Sequence, residues 1–412
     1  MRLDINKRNS VITEIMASFL RLKTYCESQS FVGHDVGDGI ESPLITHTLL
    51  GKSRLLRFVL QQTTAHRAAF VNVRPFLAVP KLCNAKGIAL FLNGYCNLYE
   101  LLEAGVEVKD YSKDDCLNRI YELADLLVSL RSKGKHYYGW GYPTAWQGRM
   151  HFYFPPHTPT IVASSFAADA LFHAFDITRQ SHYRKIALET ADFILNDLHR
   201  TPHKGGFLFS YSSYNGNDTV YNASLLGGRT LAQCYKYSGN QEYLKIAKEC
   251  MDTCIKEQRN DGSWTYGMEH YQTWIDNFHT GYNLEAIWEY QLISGDTEYE
   301  AVLRKGAKFM IENHFDGQHI PKYYHNKQYP IDIHCCGEIF VVLHKLGIFS
   351  ENESLADDVY RWTIRNMFYE KEGYFYFQKR SWITNKTPLM RWSEAFMFNA
   401  LSFYMKSKFN IQ

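Results

Sequence analysis

What this sequence lacks narrows it first. No stretch approaches the roughly 18 consecutive apolar residues of a membrane-spanning helix. The opening MRLDINKRNSVITEIMASFL has charge in front but no sustained apolar core and no small-residue cleavage site. It does not read as a signal peptide, and a soluble, cytoplasmic protein is expected. An excess of one charge is missing too: 45 basic against 43 acidic residues leave a formal charge of +2. With no long basic stripe, an electrostatic grip on nucleic acid has little support. Cysteine is present in an odd number, nine, with Cys96, Cys234, Cys250 and Cys254 inside helical patterns. Reduced thiols fit better than a disulfide framework. No cofactor motif and no Gly/Ser/Pro-rich linker appears, so no cofactor is expected and residues 1–412 read as one domain.

Aromatic residues, at 15%, are plentiful. They suit a tyrosine-rich core or a sugar-stacking cleft, since a ring offers an apolar face and a polar edge or hydroxyl.

Internal repetition is the strongest organising signal. Gly206 in KGGFLFSY, Gly262 in DGSWTYG, Gly317 in DGQHIPKYY and Gly373 in EGYFYF recur about every 56 residues. Before each lies an amphipathic segment with apolar residues three and four apart, such as QEYLKIAKECMDTCIKEQ. After each comes a segment apolar nearly all round, such as VYNASLLGGRTLAQCYKY, as for a helix buried on several sides. Two earlier segments, NAKGIALFLNGYCNLYELL and TPTIVASSFAADALFHAF, are of the same type. Six inner helices are thus predicted, near 84–103, 158–176, 220–237, 278–293, 332–346 and 391–406. Outer helices follow five of them. N-terminal helices near 8–27 and 52–72, within residues 1–80, would close the ring. The last inner segment is as apolar as the middle ones and lacks the polar cap of an open solenoid. The expected fold is an all-α (α/α)6 toroid.

In such a ring the loops leading into the inner helices share one end, so their polar residues converge. Helix N-termini there add free N–H groups and partial positive charge. The loop FVGHDVGDGIESP supplies Asp35 and Asp38. YYGWGYPTAWQGR and HTPT supply Trp140, Tyr142, Trp146, Arg149 and His157. The third inner helix starts with Tyr221 and Asn222, and Trp264 stands in the DGSWTYG loop. The fourth is preceded by Trp274 and Asp276 and carries His279. Tyr324, Asp332 and His334 flank the fifth, and Arg391, Trp392 and Glu394 open the sixth. Asp276 and Asp332 also stand where N-caps belong, Glu394 suits the helix dipole, and Trp140 and Trp264 suit plugs of the barrel end. The opposite turns are plain SGN, SGD and LG, and one-sided enrichment is the pattern of a binding cleft.

GWGYPTAWQGR, TPTIVASSF, QRNDGSWTYG, DNFHTGYNLE, YPIDIH and RWSEAFMF resemble segments of uncharacterised toroid proteins encoded among bacterial surface-polysaccharide genes. More remotely the chain is similar to six-hairpin glycosidases, uronate-acting hydrolases and lyases, and sugar epimerases. A carbohydrate-active enzyme acting on a uronate-containing oligosaccharide or polysaccharide is what this implies. Hydrolysis would use two carboxylates from Asp35, Asp38, Asp276, Asp332 and Glu394. Lyase or epimerase chemistry would use His279 or His334 with a tyrosine, and Arg149 or Arg391 would hold the uronate. A non-catalytic glycan-binding protein needs the same aromatics without an acid pair. QRNDGSW and DNFHTGYNL also resemble terpene cyclase and prenyltransferase segments, which implies a zinc ligand at His279, joined by Asp332, His334 or Cys335. Here only one full Gln-Asp-Gly-Trp-like motif occurs and no DDxxD is present.

Overall fold

In a computed structural model the chain is described over residues 2–46, 48–67, 71–148 and 152–411. Its main helices, in chain order, are α1 (Arg2–Ser28), α2 (Arg54–Gln62), α3 (Ala85–Glu103) and α4 (Lys113–Ser129). Then follow α5 (Ile161–Thr178), α6 (Ser181–Leu188), α7 (Tyr221–Ser238) and α8 (Gln241–Ile255). The last are α9 (Asn277–Ser294), α10 (Glu300–Asn313), α11 (Ile333–Lys345), α12 (Glu353–Met367) and α13 (Phe396–Lys408). A wide helical turn over Met390–Ala395 leads into α13.

Their boundaries follow the local chemistry. Asn84 caps α3 by accepting from the Lys86 and Gly87 amides. Ser112 and Asp115 form a reciprocal capping box on α4. Gly239 and Gly295 end α7 and α9 in the left-handed conformation that a Cβ would disfavour.

The all-round apolar helices α3, α5, α7, α9, α11 and α13 form the inner ring. Each packs on the next, and α13 packs back on α3, so the ring closes. The amphipathic helices α4, α6, α8, α10, α12 and α1 stand outside, with α1 against α13. The fold is the (α/α)6 toroid that the repeat predicts.

The repeat glycines show how hairpins join. A Cβ on Gly206 would strike Thr253 of α8, one on Gly262 would strike Lys305 of α10, and one on Gly373 would strike the Arg21 backbone of α1. Each loop thus lies on the next outer helix, and α1, first in sequence, takes the sixth outer place. Gly317 has open space around it and departs from this pattern.

The second N-terminal helix differs from expectation. α2 does not stand in the outer wall. It packs on the turn Asp38–Glu41 and on Trp146–Gln147, over the end where the inner helices begin. Its Gln61 side chain pairs with the Gln147 backbone at 2.9 and 3.0 Å. Most of its exposed face remains apolar, which explains why its pattern reads as a packed helix.

Candidate functional site

A cavity of about 280 Å³ opens where the inner helices start, and all six contribute to it. Lys86 comes from α3, Val162 from α5, Asn222 from α7, His279 from α9, His334 from α11 and Arg391 from the turn before α13. Tyr142, Tyr211, Tyr266, Tyr282 and Tyr323 complete much of its wall. No Asp or Glu side chain lines it among the described residues.

His279 is held by its own helix start. Asp276 caps α9 by accepting from the His279 amide, and its second oxygen accepts from His279 Nδ1 at 2.7 Å. Trp274 Nε1 donates to that same oxygen at 3.0 Å. An acceptor at Nδ1 puts the ring proton there, so Nε2 is left with a lone pair. The motif DNFH thus builds an oriented base: the cap fixes the carboxylate, and the carboxylate fixes the imidazole.

His334 is of the opposite kind. Its ring lies between Trp392 and Phe396, at centroid distances of 4.1 and 3.9 Å. Nε2 donates to the Trp392 carbonyl at 2.8 Å, leaving Nδ1 without a hydrogen-bond partner among the described residues. Burial, reinforced by Lys86 and Arg391, pushes its pKa well below the usual histidine range. It stays neutral and can only accept a hydrogen bond.

Lys86 supplies the cavity's ammonium. It lies 4.1 Å from the Phe166 ring centroid and 4.9 Å from that of Tyr282, whose hydroxyl is 3.3 Å away. Burial, then the nearby Arg391, brings it down to about 7. Arg391 is compensated by a two-point pair with Asp35, at 2.6 and 2.7 Å, and its guanidinium lies over Tyr142 and Trp392.

The five candidate acids do not face the cavity as a pair. Asp35 holds Arg391 and accepts from Asn84 at 2.9 Å. Asp38 pairs with the buried Arg74 at 2.8 Å and with His34. Asp276 stands behind His279. Asp332 accepts from Trp392 Nε1 at 2.8 Å and from the His334 amide; burial raises it to about 7. Glu394 is turned away, accepting from the Phe375 amide at 2.9 Å, and burial raises it well above the carboxylate range. Asp276 and Asp332 serve as N-caps, Asp35 and Asp38 pair with Arg391 and Arg74, and Glu394 holds a loop amide.

The aromatic set divides. Tyr142, Trp146, Asn222 and Trp392 line the cavity with Arg391. Trp274 stacks on Tyr266 at 4.4 Å and lines an outer groove of about 610 Å³. That groove shares Trp146, Asn217 and Tyr266 with the cavity. Tyr324 lines a neighbouring recess beside Trp274. Trp140 and Trp264 are plugs: their indole N–H groups donate to the Leu127 and Cys254 carbonyls. Tyr221 turns outward to Glu257, and His157 is an exposed turn residue at φ 60°. Arg149 lies outside the described residues.

The zinc set is not assembled. Among the described residues no three His, Cys, Asp or Glu side chains are arranged to hold a metal ion. His334 Nε2 and Asp332 are already bonded to Trp392, and Cys335 is fully buried.

Sequence reasoning missed Lys86 and, of the tyrosine wall, Tyr211, Tyr266 and Tyr282. A lysine within an otherwise apolar helix, NAKGIALFL, was the available signal. The far end is also less plain than its turns suggest. Asp169, Gln233, Glu289, Lys345 and Lys406 surround a second recess of about 250 Å³, carried on helix interiors and not on turns.

No family model matches the sequence, and no curated protein matches it. Solved structures do. A cellobiose 2-epimerase from Bacillus thermoamylovorans B4167 aligns with TM-score 0.59 at 10% identity, over 81% of this chain and 90% of that one. A GH76 α-mannanase of Bacteroides thetaiotaomicron gives 0.58 at 13% identity, over 81% and 88%. A D-mannose isomerase gives 0.57 at 13% identity, over 79% and 87%. The chain is therefore similar in architecture to (α/α)6 toroids, and at these identities the likeness extends to the fold alone.

Proposed function

We propose that this protein is a carbohydrate-active enzyme working by proton transfer, as an epimerase on a sugar carbon next to a carbonyl or carboxylate group. One observation carries the reading: a cavity whose ionisable lining is an Asp-oriented histidine, a neutral histidine, an ammonium, the Asp35-paired Arg391 guanidinium and tyrosines, with no carboxylate among the described residues. Glycoside hydrolysis needs two carboxylates flanking the bond. Proton abstraction needs one base and a stabilised oxyanion.

His279 Nε2 takes the proton from the carbon. The C–H electron pair moves into an enediolate, whose oxygen is met by the Lys86 ammonium, with tyrosine hydroxyls nearby. The planar intermediate turns its other face to the protonated His279, which returns the proton there and gives the epimer, so no oxidant or reductant is consumed. His334 Nδ1, unpartnered among the described residues, accepts from a sugar hydroxyl. The toroid neighbours named for epimerase and isomerase activity support this class. An acidic sugar is compatible, because no carboxylate lies within ion-pair distance of Lys86 among the described residues. A uronate-containing glycan of bacterial surface polysaccharide, handled in the cytoplasm, is the substrate setting that the resemblance of GWGYPTAWQGR and its companion segments supports.

The test is incubation of the protein with uronic acids, aldoses and their disaccharides in heavy water, read by NMR. Exchange of one carbon-bound proton, with appearance of its epimer, is expected. His279→Asn should slow it roughly a hundredfold to ten-thousandfold. Saturable sugar binding without exchange would make this a binding protein, and release of a free sugar would restore the hydrolase reading.

A further inference from the structure

Residues 42–46, 48–67 and 71–81 form a lobe that the proposed chemistry does not use. Between Glu41 and Glu100 the sequence contains no acidic residue, while Lys52, Arg54, Arg57 and Lys81 fall within the lobe beside Arg74, whose charge is taken up by Asp38. In a chain of nearly balanced charge, this is a long segment of one sign. It also displays apolar side chains. Leu49 is 82% exposed, Phe76 77% and Leu55 64%, with Leu44, Val59 and Val71 exposed beside them in sequence. Elsewhere among the described residues, only Leu292 and Trp382 are as exposed among large apolar side chains.

The display is built rather than loose. Arg74 is buried and bonds Asp38, the Asp35 carbonyl and the Thr64 carbonyl. Ser42 donates to the Leu77 carbonyl at 2.6 Å, and the Gly39 amide donates to Thr64 at 3.0 Å. These bonds pin the lobe from within while its leucines point out. Leu49 opens a short helical turn that ends on the exposed Lys52, and Phe76 sits in the turn after Arg74. On α2, Leu55 and Val59 face solvent beside Arg54, while Phe58 and Gln62 line the outer groove.

We infer that this lobe docks the protein on an anionic lipid surface, with the mouth of the site beside the bilayer. Apolar side chains on turns and on an amphipathic helix, flanked by cations, enter the headgroup region and meet anionic lipid. A second copy is the poorer occupant: a two-fold contact would place this acid-free, cationic lobe against itself.

The test uses the full chain and flotation with vesicles of phosphatidylcholine, either pure or doped with phosphatidylglycerol. Binding to the doped vesicles is expected, weaker on pure phosphatidylcholine and reduced by salt. Leu49→Ser, Leu55→Ser and Phe76→Ser together should abolish it without changing the melting temperature, since all three are exposed. Lys52→Glu with Arg54→Glu should remove the preference for phosphatidylglycerol, each cation contributing roughly fivefold. Absence of wild-type binding, or equal binding by both variants, overturns the inference. So does self-association that the triple substitution removes while no vesicle is bound. Sugar turnover in solution is measured separately, so lipid binding and the epimerase reading can fail independently.

Discussion

Lys86 stands at the first turn of α3 with its ammonium among aromatic rings, and it is the cavity-lining group whose charge changes near neutral pH. Burial and Arg391 lower it to about 7, against the pull of Glu338, Asp35 and Glu285. If the charged form meets the enediolate, turnover should fall as pH rises through about 7. Lys86→Gln should flatten that limb and lower the rate at acidic pH by roughly ten- to a hundredfold. An unchanged limb in the variant would assign it to another group. Glu394 makes the contrasting case. Glu394→Gln keeps the acceptor for the Phe375 amide and should leave turnover intact. Glu394→Ala orphans that buried amide and should cost about 1–3 kcal/mol of stability in denaturant unfolding. A Gln variant without turnover would return Glu394 to the chemistry. These residues also mark what sequence can convey. His279 and Arg391 were legible because they stand at helix starts that a ring must gather. The acids misled because residue type at an N-cap says nothing about which way the second oxygen points. Lys86 and Tyr282 were hidden because charge or hydroxyl within an apolar segment looks the same whether it faces packing or a cavity.

At the level of elements, the inner ring depends on close helix approach. α9 and α11 meet where Gly281 lies against the Glu338 carboxylate, which burial and Glu285 keep protonated well above the usual range. A Cβ at 281 would collide with that carboxylate. Gly281→Ala should therefore destabilise by about 1–3 kcal/mol. Combined with Glu338→Ala, the loss should be largely non-additive, because the second change removes the atoms struck. Additive losses in thermal unfolding would show that the seam does not rely on this contact. The alternation of wet and dry helices made both rings legible, since burial on one side or on several is written in the charge pattern. The place of α2 was not legible: an amphipathic helix packs on whatever its apolar face meets, and the pattern is the same for an outer wall and for a cover over the mouth.

For the whole molecule, buried titratable groups set how stability follows pH. One set is raised: Asp332 to about 7, and Glu338 and Glu394 well above the carboxylate range, all chiefly by burial. Unfolding lets these groups ionise at lower pH than the folded state does. The unfolded chain then binds fewer protons, so each makes stability fall as pH rises from about 4 through its folded value. A second set is lowered. Against the burial that would raise it, His173 and Lys406 hold Glu100 down to about 2, and Arg229 and Lys345 hold Asp169 below its usual value. These contribute stability above about 4 that is lost as pH falls through their folded values. Lys86 acts in a third window. Its lowered value means that the unfolded chain binds more protons between about 7 and 10, so its burden eases as pH rises there. Burial also lowers His314 and His344 to about 3 and His334 well below the usual histidine range, so these three add stability as pH rises toward about 6.5 and offset the raised acids there. Together these place the maximum of stability on the acid side of neutrality, between about pH 4 and 7. Melting temperature measured across pH should peak in that window and decline toward pH 8. Asp332→Asn with Glu394→Gln should flatten the decline, since both amides are neutral at every pH and keep an acceptor oxygen. A melting temperature that rises steadily from pH 5 to 8 in the wild type, and no less steeply in the Asp332→Asn, Glu394→Gln variant, would show that these carboxyls do not set the profile and that the lowered histidines and Lys86 do.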